Sequence, residues 1–536
     1  MVSSPHPKTD QAATEAANRQ KAIDLLTQAF KVHQSGQIAR AGDLYLEVLK
    51  LDPRNADALH LLGLVARNTG NNESARQLMQ KAVTIQPAFP DAHYNLGNAL
   101  SSLRRFDEAA ESYRAALSYQ PNHSLAAYNL GNVLRSAARL DAAVAAYRQA
   151  LTIDPQHVES LHNLANTYKD KGAVTEAIAS FRRTLELKPG LPEAHYNLGL
   201  CLLLAGELPE GFKEYEWRWQ VADFTSPKRN FTPPQWKGES LKGKTILLHA
   251  EQGFGDTLQF VRYVPMVAAR GGRVVLEAQP ALMRVLAGLK GVSQFVAAGD
   301  ALPTFDVHCP LVSLPSVFGT DLPSIPAGIP YLGIDIELAK AWSKRLGPRK
   351  GLRVGVVWAG NPKHTNDRRR SVQPDSFKPL GAVPGIEWYS LQVGPASADV
   401  GKAPPRLNLI DLSPHLTDFA ETTAALANLD LLISVDTAPV HLAGALGKPT
   451  WVLLPFVPDW RWMRERTDSP WYPSIRLFRQ PEIGGWDPVL MRLTKVLADW
   501  ALAAGSTRKK PSQGRSGKSG KSGTGTATGT ARTWDR

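Results

Sequence analysis

Between residues 41 and 215 the chain repeats itself with a period of 34 residues. Proline recurs at Pro53, Pro87, Pro121, Pro155 and Pro189, and alanine at Ala41, Ala75, Ala109, Ala143 and Ala177. Leu-Gly recurs at 62–63, 96–97 and 130–131, becomes Leu164-Ala165, and returns at 198–199. A large residue recurs at Tyr45, Met79, Tyr113, Tyr147, Phe181 and Tyr215. Each period therefore reads as one structural unit stacked on the next. The small residues mark where two segments cross, the large one fills the gap to the next unit, and the proline opens the turn between units.

This pattern resembles the tetratricopeptide repeat, a pair of antiparallel helices. It gives five full repeats over residues 22–191 and a partial sixth, within a solenoid domain of 22–225. Such a stack is a superhelix whose concave face is built from the first helix of each repeat. Asn95, Asn129, Asn163 and Asn197 share one position of that helix, and Asn98, Asn132 and Asn166 share another three residues on. Residues three apart lie on one helix face, so a ladder of amides along the groove is expected. An amide both donates and accepts and suits the backbone of an extended polypeptide. A similar ladder is a feature of the repeat domain of protein O-GlcNAc transferases, so the resemblance implies a protein ligand. The alternative is that the asparagines serve only repeat packing.

Composition changes after Tyr215: all 13 tryptophans lie from Trp217 onward. Trp217 and Trp219 are expected to cap the solenoid, and 226–244 reads as a linker with turn chemistry. Apolar runs at 245–250 and 273–278, with strands near 294–298 and 305–309 and helices between, give a half-Rossmann pattern over 245–335. The first strand runs into Gln252-Gly253-Phe254-Gly255-Asp256. A dinucleotide turn would use Gly253-x-Gly255 with Glu277 as the ribose-binding acid, but Leu258 stands where a third glycine belongs. A helix cap is a second reading of Asp256.

A second α/β domain is expected over 336–504. Strand 352–358 ends at Ala359-Gly360, and the loop 363–371 carries Arg368, Arg369 and Arg370. A loop this basic at a strand's carboxyl end suits a diphosphate, or is simply a solvated charge run. Gln392, at the end of the strand 387–393, is placed to meet a nucleotide. Leu429 to Val435 reads as a strand buried on both faces. Asp436 and Thr437 follow, then a helix carrying His441 and the small residues Ala443, Gly444 and Ala445, ended by Gly447. Ligands of open parallel sheets bind outside the carboxyl ends of the strands, and helix-start amides suit phosphate. The aromatic stretches around Trp460, Trp462, Trp471 and Tyr472 suggest a rim for bases and sugars.

The segment from Asp436 to Pro449, with Asp436-Thr437-Ala438, His441-Leu442-Ala443-Gly444-Ala445-Leu446-Gly447 and Pro449, resembles the nucleotide-sugar motif of heptosyltransferase-like glycosyltransferases of family 9. Ala438 replaces the usual glycine. The resemblance implies a GT-B fold of two facing Rossmann-like domains. It implies that Asp436, Thr437, His441 and Gly444 bind the donor, that a basic residue of 368–370 meets its diphosphate, and that Asp256 in the Gly255-Asp256 turn is the general base. A carboxylate at a helix start is favoured in its charged form and can take an acceptor's proton. The chain contains no Asp-x-Asp, so a metal-free mechanism is expected, with no cofactor beyond the nucleotide-sugar substrate. Bacterial proteins resembling this fusion include flagellin glycosyltransferases, so the acceptor is expected to be a polypeptide. The rival expectation is a non-catalytic scaffold that only senses a nucleotide.

The formal charge of +13 says little. Residues 506–536 hold eight Lys/Arg and one Asp, which accounts for +7. The +6 left does not point to nucleic acid. The tail 505–536 and the first 21 residues are expected to be disordered. No run reaches the roughly 18 apolar residues of a membrane span. Cys201 and Cys309 have neither metal nor redox spacing, which points to a reducing, cytoplasmic setting.

Overall fold

The computed structural model describes residues 7–363 and 366–508. The basic tail from 509 onward, His364 and Thr365 lie outside the described residues. Twelve helices, from Pro7–Gln34 to Leu208–Tyr215, form six antiparallel pairs. Their order matches the 34-residue register. Gly131 shows why the register demands small residues: a Cβ there would sit 2.5 Å from the Tyr147 ring, and one at Gly97 2.6 Å from that of Tyr113. The alanines at 41, 75, 109, 143 and 177 are fully buried, as are Tyr45, Tyr147 and Phe181.

The N-terminal expectation fails for residues 7–21, which continue the first helix rather than lying disordered. The stretch DQAATEAANRQK is rich in strong helix formers and contains neither glycine nor proline. Residues 15–21 are nevertheless exposed, so propensity and continuity with the packed turn at Ala22, not burial, sustain them.

The α/β region contains two all-parallel sheets. The first has strands β1 (Thr245–His249), β2 (Arg273–Ala278), β3 (Gln294–Ala297) and β4 (Val307–Pro310) in the order β3-β2-β1-β4. The second has β5 (Leu352–Val357), β6 (Ile386–Ser390), β7 (Ile410–Asp411), β8 (Leu431–Val435), β9 (Thr450–Leu454) and β10 (Ile475–Arg479) in the order β10-β9-β8-β5-β6-β7. β5, β8 and β9 are buried along their full length, as parallel strands covered on both faces must be. The result is a helical solenoid joined to a GT-B-like pair of α/β domains. No helix among the described residues is long and apolar enough to cross a membrane.

The junction differs from expectation. Trp217 stacks on His195 of the solenoid at 3.9 Å, and Trp219 packs edge-on against Phe224. The buried residue between them, Arg218, makes the joint. It donates to Glu251 (2.9 and 3.1 Å), Glu216 (2.7 Å) and Ser313 (2.8 Å) and is fully buried. The linker is also a working part of the fold. Trp236 N–H donates to the His308 carbonyl (2.7 Å) and His308 N–H to that of Pro234 (3.1 Å), so the linker pairs with β4. Leu203, Phe212 and Tyr215 of the last repeat share one continuous core with residues of both sheets.

Candidate active site

Two strand–helix turns meet where the domains face each other. β1 leads to the helix Phe254–Phe260, and β8 to the helix Ala438–Ala445. The two helices touch: a Cβ on Gly255 would lie 2.8 Å from the His441 ring. Gly255 is therefore required by contact between the domains rather than by approach to a phosphate. Gly253 is the N-cap of its helix, and its N–H donates to Asp256 Oδ2 (2.9 Å). Gln252 reaches back to the solenoid, donating from Nε2 to the Tyr215 hydroxyl (2.8 Å). Glu277 is buried against Arg229 of the linker, which removes the free acid that a dinucleotide turn needs.

Asp256 thus caps its own helix through one oxygen. The other oxygen accepts from Arg461 of the loop after β9. Burial pushes the Asp256 carboxyl up from its ordinary range, and Arg461 is the strongest influence holding it down. Asp436 is 9% exposed. Burial, then repulsion from Asp459, pushes it up to about 6, while Arg370 and Arg461 oppose this. Both carboxylates therefore feel the same pair, Asp459 and Arg461. Trp462, buried beside Asp436, also holds its carboxyl down.

Of the three candidate arginines, Arg370 alone turns inward. Its guanidinium donates to the Asp436 carbonyl (2.9 Å) and to Asp367 (3.2 Å), whereas Arg368 and Arg369 are exposed. Gly360 makes room for it, since a Cβ there would lie 2.2 Å from the Arg370 guanidinium. Thr437 is the N-cap of the His441 helix and donates to the Val435 carbonyl (3.2 Å).

At three expected donor positions the residue is engaged within the protein. Gln392 is 3% exposed; its Oε1 accepts from the N–H groups of Trp358 and Ala359 (3.0 and 2.9 Å), and its Nε2 donates to the carbonyls of Ala359 and Val393. All its capacity goes to shaping the turn after β5. His441 is buried, bonded through Nδ1 to the Tyr472 hydroxyl (3.0 Å), and burial with nearby arginines pushes it well below its ordinary value. It is a neutral packing residue beneath the site. Gly444 admits the Tyr472 ring, which a Cβ would meet at 2.5 Å. Trp460, Trp462, Trp471 and Tyr472 are buried too, so the expected aromatic rim is largely interdomain core.

In the groove, the asparagine columns bond to each other. Asn98 Oδ1 accepts from the Tyr113 hydroxyl (2.7 Å) and from Asn129 Nδ2 (3.0 Å); Asn132 Oδ1 accepts from the Tyr147 hydroxyl (2.7 Å) and from Asn163 Nδ2 (2.9 Å). Two bonds fill each carbonyl, so amides that both donate to and accept from a ligand are not what the columns provide there. The network stops in the fifth repeat, where Phe181 lacks the hydroxyl and Asn166 is buried. Asn197 of the sixth repeat accepts from Lys169 Nζ of the fifth (2.5 Å). At the other end, Asn95 Nδ2 lies 3.0 Å from His60 Nε2. A hollow of about 480 Å³ is lined by Arg67, Asn98, Ser101, Tyr113, Asn129 and Asn132.

Arg461 and Arg218 were not singled out by sequence reasoning. Their one signal is an arginine set between aromatic residues, in Trp460-Arg461-Trp462 and Trp217-Arg218-Trp219.

Comparison with known proteins agrees with this division. Residues 33–93 and 94–158 match tetratricopeptide-repeat profiles, as do 146–179 and 165–206. Residues 398–454 match glycosyltransferase family 9 (heptosyltransferase). Protein FlbA of Caulobacter vibrioides is 28% identical over 331 residues, covering 56% of this chain and 54% of that protein. The chain thus spans about half the length of that relative. Among solved structures, MamA is 27% identical over 30% of this chain and 94% of its own, with a TM-score of 0.29. YrrB, described as a TPR protein with an unusual peptide-binding site, is 23% identical over 33% of this chain and 92% of its own, with a TM-score of 0.32. These matches support a fusion of a tetratricopeptide-repeat solenoid with a heptosyltransferase-like region.

Proposed function

We propose that this protein transfers a sugar from a nucleotide-sugar donor to a hydroxyl of a polypeptide held by the solenoid, flagellin-like proteins being the best specific acceptors. The observation that carries the reading is that the helix carrying Asp256 and the helix that follows Asp436 touch at Gly255 and His441, which brings the two strand–helix turns together between the two sheets. Asp256 accepts the acceptor's hydroxyl proton as that oxygen bonds to the anomeric carbon. The anomeric carbon's bond to the diphosphate breaks, and the diphosphate leaves with the electron pair. Its charge is met by Arg370 and by the N–H groups of Thr437 and Ala438 at the helix start, with no metal ion required by the residues present. Inversion at the anomeric carbon is what the family resemblance implies. In the groove, Asn amide N–H groups and Arg67 meet backbone carbonyls of the acceptor.

The test begins with a thermal-stabilisation panel of nucleotide sugars and proceeds to hydrolysis of the stabilising donor. The expected result is slow turnover that Asp256→Ala abolishes while the donor still binds. Tight donor binding without turnover in the unaltered chain would instead establish a nucleotide-sensing scaffold.

A further inference from the structure

Arg461 ties the two α/β domains together beside the site. Its Nε donates to Gln259 Oε1 (2.6 Å), one terminal nitrogen to Asp459 Oδ1 (2.9 Å) and the other to Asp256 Oδ1. Gln259 and Asp256 belong to one helix of the first domain, and Asp459 and Arg461 to one loop of the second. The residue is 7% exposed, and its guanidinium lies 4.2 Å from the Trp460 ring centre and 5.7 Å from that of Phe260. A planar fork held at three points and stacked on an aromatic ring has one orientation, which a lysine cannot reproduce. The loop's outer side rests on the solenoid. Trp460 meets Phe212 of the sixth repeat edge-on at 5.5 Å, and Arg464 donates to the Gly172 carbonyl in the turn within the fifth.

We infer that Arg461 is a positioning residue that fixes the Asp256 carboxylate in its charged, proton-accepting form, and that the last two repeats set its place by bracing its loop. This rests on the reading of Asp256 as the base. With Gly253 N–H on Oδ2 and Arg461 on Oδ1, the carboxylate plane is pinned and each oxygen keeps a lone pair for an incoming hydroxyl. The other charged and titratable groups that Asp256 meets offer no substitute. Asp459 shares the loop, Glu251 is paired with Arg218, Tyr215 comes from the solenoid, and His441 is neutral behind Gly255. Without Arg461 a buried carboxyl faces other carboxylates and takes up a proton at higher pH.

Two measurements on the full chain test this. The first follows thermal unfolding of the unaltered chain, Arg461→Gln, and the pair with and without Asp256→Asn. A carboxyl whose folded pKa lies above its unfolded value costs stability as pH rises through that interval. Arg461→Gln should therefore widen the midpoint deficit as pH rises above the ordinary carboxylate range, and Asp256→Asn should remove all of the widening except the share that Asp436, which also feels Arg461, contributes. The second follows the acid limb of nucleotide-sugar hydrolysis, which Arg461→Gln should move up by about one pH unit or more, with Arg461→Lys lying between. A deficit that is the same at every pH, or an acid limb that stays put while Asp256→Ala is inactive, overturns the inference alone. Full turnover in Asp256→Ala overturns it together with the base.

Discussion

The solenoid and the α/β domains handle buried polar groups in opposite ways. In the solenoid the partners lie one repeat away: Asn129 meets Asn98 across 31 positions, and Arg135 meets Asp170 across 35. In the α/β region, Arg461 meets Asp256 across 205 positions and Arg262 meets the Trp471 carbonyl across 209. A lost partner in a quasi-one-dimensional stack is felt by the neighbouring repeats. A lost partner in the second kind of network is felt wherever separate parts of the chain have to dock. The comparison therefore predicts damage of different size and reach.

The largest effect is expected at the joint between the two regions. Arg218→Ala leaves Glu251 buried without its partner, a change that costs about 3–5 kcal/mol. Chemical denaturation should show the transitions of solenoid and α/β domains separating. If the single variant leaves the curve unchanged, the two regions are coupled by their shared apolar core rather than by this pair. Gly131→Ala comes next. Its Cβ would strike the Tyr147 ring, and overpacking of this kind costs about 1–3 kcal/mol. The loss should fall on the solenoid transition only. Gly190→Ala, whose Cβ meets nothing within 4 Å, is the matched control and should be silent. Asn132→Ala is expected to be milder, about 1–2 kcal/mol, because it orphans the Tyr147 hydroxyl and leaves Asn163 Nδ2 only the Tyr128 hydroxyl. Donor-dependent stabilisation should not change in that variant. A fall in donor binding would show that the groove and the transfer site are one network.

The same contrast explains what could be read from the sequence. The solenoid was legible because every constraint recurs: Gly97 and Gly131 face Tyr113 and Tyr147 at one fixed offset. The two βα turns were legible because strand, turn and helix are contiguous, and Gly447, at a φ of +70°, ends the His441 helix as its residue type requires. What the asparagines bond to was not legible, since a column gives position but not partner. Arg461, Asp459 and Arg218 were missed because their partners are brought by other segments of the chain. Gln392 shows the same thing: its place at a strand's carboxyl end is legible, but that the backbone of Trp358 and Ala359 takes up its side-chain oxygen is not.

The arginine run 368–370 gives the finest version of the comparison, because three identical side chains in sequence have two different fates. Arg368 and Arg369 face solvent, where an isolated charge contributes little and salt screens it. Arg368→Ala and Arg369→Ala should each change stability by no more than about 0.5 kcal/mol and leave nucleotide-sugar binding nearly intact. Arg370 is held against the Asp436 carbonyl and Asp367, so Arg370→Ala should weaken donor binding while the fold survives. Gly360→Ala separates placement from charge. It keeps all three arginines but occupies the space of the Arg370 guanidinium, so it should reproduce the binding loss of Arg370→Ala. Calorimetric titration with a nucleoside diphosphate measures all four variants. If Arg368→Ala or Arg369→Ala weakens binding as much as Arg370→Ala does, the run acts through its summed field. The single inward contact would then not be what the diphosphate reads.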